Sequence, residues 1–414
     1  MKQYLLSSEK IILFFLMGLA FFHASAQLDT TTMGQPSDTS LKKLNMDAVY
    51  SRPFLSLGKM PVAIGGYLEA NTRYENTNGI SEGFSFQFRR MTIFLSSTIA
   101  KKIRFLSEIE FEDGAKEINL EYSAINLELN PLLNLQGGII LNPIGGFNQN
   151  HDGPRWDFID RPLSAVTILP ATLSNVGIGF HGKYFIKDWV LGYETYLTNG
   201  FGEKIISNAQ NRTSLQAGKS NPGKFEESQS GLPMFTGKVA LRNRKVGEAG
   251  FSYMNGVYNQ WRKDGLVVEN KRELKVFSVD FNSSFLNNKI SVNSEVVKVL
   301  VEIPETYSQI FGKEQLGFFV DLTGTVFQGQ VFGWEKAKFN LALRFNYVDY
   351  NVGKFKETGG NISDHVWGFV PGVAFRPVGS SVFRINYSFS QSTDLLGNPP
   401  SKTGTIQVGI SSYF

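Results

Sequence analysis

The chain contains no cysteine and only four histidines among its 414 residues. Without thiols there is no zinc ribbon, iron–sulfur site, cysteine nucleophile or disulfide framework. Full charges are sparse, at 19% of residues, and nearly cancel to +4. That is too little to argue for a nucleic-acid or anionic-surface partner. Long apolar runs are also missing. The run from Ile11 to Phe22 is shorter than the ~18–20 residues a spanning helix requires. The 41 glycines have no period of three, which excludes collagen. Disorder is excluded by the 13% aromatic content and the low net charge. What is abundant is phenylalanine, 35 residues against 15 Tyr and 5 Trp, and with glycine and serine it leans the reading toward β-structure.

Residues 1–26 read as a secretory signal peptide: Lys2 and Lys10, then the apolar run, then Ala24-Ser25-Ala26 as an A-x-A cleavage pattern. Residues 27–63 read as a periplasmic leader of uncertain structure, rich in Thr, Ser and Asp in its first half. From residue 64 the pattern has period two. Ile64, Gly66, Leu68, Ala70, Thr72 and Tyr74 share one face, and Tyr67, Glu69, Asn71, Arg73 and Glu75 share the other. Ile103, Phe105, Ile109 and Phe111 likewise oppose Arg104, Glu108, Glu110 and Glu112. A helix would scatter these charges around its surface, so the strand reading holds.

The alternation predicts sixteen strands: 64–75, 84–100, 103–112, 117–129, 133–142, 173–186, 189–200, 233–243, 247–257, 274–286, 289–301, 315–329, 336–349, 365–377, 381–392 and 403–414. Short turns such as Lys101-Lys102, Lys187-Asp188 and Asn287-Asn288 alternate with long polar loops, including 143–172, 201–232, 258–273, 350–364 and 393–402. That rhythm is the layout of an all-β, up-and-down, antiparallel transmembrane barrel over 64–414, with periplasmic turns and extracellular loops. A barrel of sixteen strands encloses an aqueous channel rather than a packed interior. Trp189, Tyr184 and Tyr347 near strand ends suit interfacial girdles. The terminal Phe414, with Ile410, Val408 and Ile406 at alternate positions before it, resembles the signal read by the outer-membrane barrel assembly machinery. Ser412 departs from that pattern.

Residues 84–186 resemble the phosphate-selective (O/P-type) porins of Gram-negative outer membranes. The stretches that carry this are FQFRRMTIFLSS, LNLQGGIILNPIGGFN and HDGPRWDFIDRPLSAVTILPATLSNVGIGFHG, with Asp160-Arg161-Pro162-Leu163, Pro170 and Gly177-x-Gly179 as the most specific elements. The resemblance implies a 16-stranded homotrimeric porin of the outer membrane whose third long loop, 143–172, folds into the lumen as a constriction. It implies passive diffusion of small polar or anionic solutes, phosphate among them, with no cofactor. Family members often carry a further basic residue two places after the paired arginines. Here Thr92 stands there, which weakens the case for anion selectivity.

Strand phase places Arg73, Arg90, Arg104, Lys183, Lys238, Arg242, Lys338, Arg344, Arg376 and Arg384 on the lumen face. The anions Glu69, Glu108, Glu110, Glu112, Glu117, Glu121, Glu194, Glu248, Glu295 and Asp321 share it. The lists balance, so weak ion preference is expected, and each single charge is expected to be solvated wall. The constriction-loop candidates are His151, Asp152, Arg155, Trp156, Asp157, Asp160 and Arg161. They lack metal-ligand spacing, and no nucleophile frame surrounds a serine near His181, so neither a metal site nor an enzyme is expected. The competing reading is a non-conducting surface barrel whose long loops, 201–232 above all, bind a ligand or partner.

Overall fold

The computed structural model describes residues 44–56, 62–219, 222–243 and 245–414. The signal peptide and the first part of the leader lie outside the described residues.

The period-two stretches form sixteen antiparallel strands that close on themselves. They are β1 (Val62–Thr77), β2 (Ile80–Ala100), β3 (Ile103–Glu112), β4 (Glu117–Asn130), β5 (Leu133–Leu141), β6 (Ser174–Ile186), β7 (Trp189–Thr198), β8 (Met234–Asn243), β9 (Gly247–Val257), β10 (Glu273–Phe285), β11 (Ile290–Val301), β12 (Glu314–Val331), β13 (Trp334–Asp349), β14 (His365–Arg376), β15 (Ser381–Thr393) and β16 (Ser401–Tyr413). Each pairs with its neighbour in sequence, and β16 pairs with β1 from Thr403↔Thr77 to Tyr413↔Tyr67. Closure leaves no barrel strand with an unpaired edge. Among the described residues no helix is long and apolar enough to cross a membrane.

Connections at one end are tight, such as residues 101–102, 131–132, 187–188 and 332–333; at the other they include the long loops. The first connection at the long-loop end is an exception. Asn78 (φ 53°) and Gly79 (φ 88°) both take the left-handed conformation, which a two-residue hairpin with the right-handed strand twist demands.

Side-chain exposure is inverted relative to a soluble barrel. Phe84, Phe86 and Phe88, Leu341 and Leu343, and Ile406, Val408 and Ile410 lie exposed on the outside. Glu69, Arg90, Glu108, Glu110, Lys238, Arg344 and Arg384 are buried on the inside. A continuous apolar outer wall is what a hydrocarbon solvent selects. Tyr184 and Trp189 are exposed near one tight turn and Trp334 near another.

Of the seven register shifts in the barrel ladders, two bring charged residues to the in-folded loop. Glu69 pairs with Arg90 and Ala70 with Phe88, so Arg89 is the extra residue on β2. Glu108 pairs with Tyr122 and Ile109 with Leu120, so Glu121 is the extra residue on β4. Each bulge turns two consecutive side chains to the same face, and Glu121 and Tyr122 are both buried inside.

The interior is not uniformly wet. Ile144, Ile168, Leu169 and Leu173 of the 142–173 connection pack with Phe201, Ile205, Ile206 and Leu215 of the next long loop. Both lie against inward Met234, Met254, Val276, Val297, Val299 and Val348. The 201–232 loop, expected to be polar and extracellular, therefore contributes an apolar plug to one side of the long-loop mouth. Residues 44–54 also sit inside, at the tight-turn half, and a two-residue strand, Leu55–Ser56, pairs with β1.

Candidate functional site

The connection from β5 to β6 folds into the bore and is tied to the wall almost all the way round. It leaves β5 beside its return point, with Asn142 N–H donating to Leu173 O at 3.0 Å. It contains two single 3-10 turns, Asn148–Asn150 and Gly153–Arg155, and a five-residue helix, Leu163–Thr167. Proline at 154 and 162 and glycine at 145, 146 and 153 make it a chain of turns rather than a regular element. Its free backbone groups are met by the inner wall. Gly146 and Phe147 N–H donate to Glu295 at 2.9 and 3.0 Å, and Lys238 donates to Gly145 O at 2.7 Å. Ile159 N–H donates to Asn386 at 2.8 Å and Leu163 N–H to Asn346 at 3.1 Å. Arg384 donates to Phe158 O at 2.6 Å and Arg344 to Asp160 O at 2.6 Å.

Each constriction-loop candidate has a defined place. His151 Nδ1 donates to Asn148 O at 2.9 Å, and its Nε2 faces Glu108 at 3.4 Å. Arg155 donates to Tyr413 at 3.0 Å and to Ala48 O at 2.6 Å. Trp156 donates to Asn150 O at 2.7 Å and tilts against Phe147 with centroids 5.0 Å apart. Asp157 accepts from Asn340 at 2.9 Å and from Arg376 at 2.8 Å. Asp160 accepts from Arg89 at 2.7 Å, while Arg161 donates to Ala171 O at 3.2 Å and reaches within 3.9 Å of Glu110.

Electrostatics keep this loop charged. Burial would raise the Asp152 carboxyl, but the Arg52 guanidinium beside it outweighs burial and holds it below the usual carboxylate range. Burial likewise opposes ionisation of Asp160, and Arg89 overrides it. Burial pushes the His151 imidazole down, and Glu108 more than restores it, leaving it raised. Glu108, His151 and Asp152 bring three potential ligand atoms within 4.8 Å of one another. The Arg52 guanidinium stands among them, 2.9 Å from Glu108 and 2.6 Å from Asp152. The cationic charge that this cluster calls for is thus supplied by a side chain.

Arg90, Arg104, Lys183, Lys238, Arg242, Arg344, Arg376 and Arg384 sit on the inner face in three groups rather than one ladder. Arg90 lies 3.3 Å from Glu69 and 3.5 Å from Glu110, and Arg384 lies 3.0 Å from Glu69. Arg344 forms a bidentate pair with Asp321 at 2.6 and 2.7 Å. Arg376 completes this group around the loop. Lys238 pairs with Asp280 at 2.7 Å, and Arg242 with Glu248 at 3.5 Å, on the opposite wall. Arg104 pairs with Glu128 at 2.8 Å, and Lys183 pairs with Asp47; both line a cavity at the tight-turn end. Arg73 is apart from all of these, paired with Glu75 near the long-loop end. The expectation of singly solvated charges is corrected here. A buried charge is tolerated only with a partner, and the in-folded loop buries most of this wall.

The open space on the long-loop side lies between the loop and the β2–β3 and β13–β15 walls. It is a cavity of about 420 Å³, whose lining includes Arg89, Arg90, Arg161, Lys219 and Arg344 against two acids, Glu112 and Asp160. Among the lining residues cations outnumber acids five to two, while Asp321, Glu69, Glu110 and Glu121 stand behind Arg344, Arg90, Arg161 and Lys219. Arg89 was missed because strand phase sends it outward; only the bulge turns it in. The sequence signal was the Arg89-Arg90 doublet inside an otherwise alternating strand. Lys219 was missed because it comes from the next long loop, 3.7 Å from Glu121.

No family model matches the chain. It is 27% identical over 245 residues to an uncharacterized protein of Aquifex aeolicus, covering 53% of this chain and 52% of that one. The chain thus spans about half the length of the curated relative it matches. Among solved structures it is similar to the anion-selective porin from Comamonas acidovorans (TM-score 0.53, 13% identity, 85% of this chain and 99% of that one). It is also similar to Pseudomonas putida OprB (TM-score 0.53, 7% identity, 86% and 94%). A third is the outer membrane channel DcaP of Acinetobacter baumannii (TM-score 0.52, 12% identity, 88% and 100%). The barrel fold is therefore that of outer-membrane porins.

Proposed function

We propose that this barrel is a porin of the Gram-negative outer membrane that passes small polar and anionic solutes by passive diffusion. The observation that carries the reading is the charged cavity of about 420 Å³ held between an in-folded loop and the wall of a lipid-facing barrel. A space of that size admits a small solute and rejects a macromolecule, and its five basic side chains favour anions over cations. Glu69 and Glu110 stand directly behind Arg90, so the preference is moderate rather than absolute. Phosphate is one solute of the right charge and size.

Further parts of the reading follow from it. Export by the signal peptide, with cleavage near Ala26, precedes insertion, and the assembly machinery reads the last strand and Phe414. In the closed barrel Phe414 N–H donates to Gly66 O at 3.0 Å, and a Cβ on Gly66 would meet the Phe414 ring at 2.5 Å. Glycine at 66 thus makes room for the terminal ring. Assembly as a homotrimer is read from the family resemblance, and cross-linking in outer-membrane vesicles tests it.

Planar-bilayer recording of the purified, folded protein tests the central reading. Stepwise conductance is expected, with a reversal potential displaced toward anions in a salt gradient. Replacing Arg89 and Arg90 by Ala should lower the anion-to-cation permeability ratio by roughly two- to tenfold, equivalent to ~0.4–1.4 kcal/mol. Absence of any channel from folded protein overturns it. The apolar packing of loop 201–232 into the mouth favours a second reading, a surface barrel whose loops bind a partner. Loss of partner binding on deletion of that loop, with permeability intact, would establish it.

A further inference from the structure

Residues 44–54 run across the bore at its tight-turn half. Leu44 and Met46 pack with Val190 and Ala240 on β7 and β8. Asn45 N–H donates to Glu248 on β9 at 3.0 Å, and its side chain to Asp280 on β10 at 3.2 Å. Val49 packs with Leu106, Tyr122, Ala124 and Leu141 on the far wall. Arg52 then joins Glu108 of β3 to Asp152 of the in-folded loop and stacks over Phe94 of β2 at 4.0 Å. Eleven residues therefore touch both sides of the barrel, below the constriction. Met46, Asp47 and Tyr50 line the cavity at the tight-turn end, which shares no lining residue with the cavity above the loop.

The attachment is unlike that of the wall. Residues 44–54 form no ladder with any barrel strand; only Leu55–Ser56 pair with β1. The barrel's own ladder closes through β16 and β1 without them. A segment held without a backbone ladder leaves as a unit at a smaller cost than any strand.

We infer that residues 44–54 are a displaceable plug, an autoinhibitory segment that closes the channel at its tight-turn end and is latched by Arg52 between Glu108 and Asp152. The inference rests on the porin reading above. It has a consequence beyond blockage. Arg52 offsets one of the two negative charges of Glu108 and Asp152 while seated; once it leaves, only His151 and Arg155 face these carboxylates, and the exit gains one net negative charge, with Glu110 beyond. The unplugged channel then conducts more and discriminates less against cations.

The chain has no cysteine, so an introduced pair is unambiguous. A Cβ on Gly192 would lie 3.7 Å from Leu44 Cγ, which places Leu44→Cys and Gly192→Cys within disulfide reach. The full-length double variant is recorded in planar bilayers, oxidised and after dithiothreitol, beside wild type and Arg52→Ala. The expected result is low conductance when oxidised, a gain on reduction, and for Arg52→Ala a gain with a reversal potential shifted toward cations. Should Arg52→Ala fail to fold, the cysteine pair alone decides. Equal conductance oxidised and reduced, with wild-type selectivity in Arg52→Ala, overturns the plug and leaves the porin standing. Absence of channels in every variant, wild type included, overturns both.

Discussion

Arg344 shows what the interior asks of a single residue. It is 1% exposed, clasped by Asp321, and it stacks over Phe158 at 4.2 Å. Removing one member of such a pair strands the other charge out of water. Arg344→Met should therefore destabilise the folded barrel by roughly 3–5 kcal/mol, read as a lower temperature for loss of the compact, heat-modifiable form on gels. An unchanged transition would mean that water reaches Asp321. His151 gives a pH-dependent counterpart. It faces Glu108, Asp152 and Arg52, and Glu108 more than offsets burial to leave its folded-state pKa raised. A raised cationic group stabilises fully below its unfolded value, ~6.5, and the contribution fades as pH climbs through the folded value. The stability gap between wild type and His151→Gln should be widest near pH 5.5 and should narrow in alkali. A gap constant with pH would show that His151 acts only through its hydrogen bond to Asn148. Neither residue's partner was visible in the sequence. Arg344 and Asp321 are cross-strand neighbours, and their register is fixed only when the strands pair.

At the scale of elements, the strands were legible and their irregularities were not. All sixteen were readable because one face must be apolar and the other need not be, so period two survives in the composition of every strand. A bulge costs one residue and leaves both flanking patterns intact, so Arg89 and Glu121 looked like ordinary members of their strands. This has a measurable corollary. Deleting a bulge residue restores regular alternation, whereas deleting a regular one flips every later side chain to the wrong face. The Arg89 and Glu121 deletions should each fold, whereas deletion of Val279, on β10, whose ladders have no bulge, should not, as judged by heat-modifiable mobility after refolding in detergent. If Val279 can be lost as easily as Arg89, the bulge at Arg89 is not the one described. The loop 143–172 was legible as an in-folded segment only by resemblance. Its anchors, Glu295, Asn386 and Asn346, come from strands far along the chain and leave no local trace. The plug segment was less legible still, since Val49 and Arg52 have no periodicity to betray that they face a lumen.

For the molecule as a whole, the decisive property is which side of the sheet meets water. The hydrophobic 42% of the chain is divided between an outer wall such as Leu341, Leu343 and Phe345 and an apolar wedge under the long-loop mouth. The polar faces are divided too, between ion pairs locked beneath the loop and two charged cavities, one above the loop and one at the tight-turn end. The same substitution should therefore have opposite meanings on the two faces. Leu343→Arg puts a charge into the outer apolar band and should cost ~2–4 kcal/mol at the bilayer midplane. Ser388 lines the charged cavity beside Arg344, where water and Glu112 are at hand. Ser388→Arg should fold with wild-type stability and move the reversal potential further toward anions. Equal destabilisation by both would mean that the cavity is closed to solvent. Tolerance of both would mean that the outer wall does not face lipid, and with that the membrane reading of the barrel would fall.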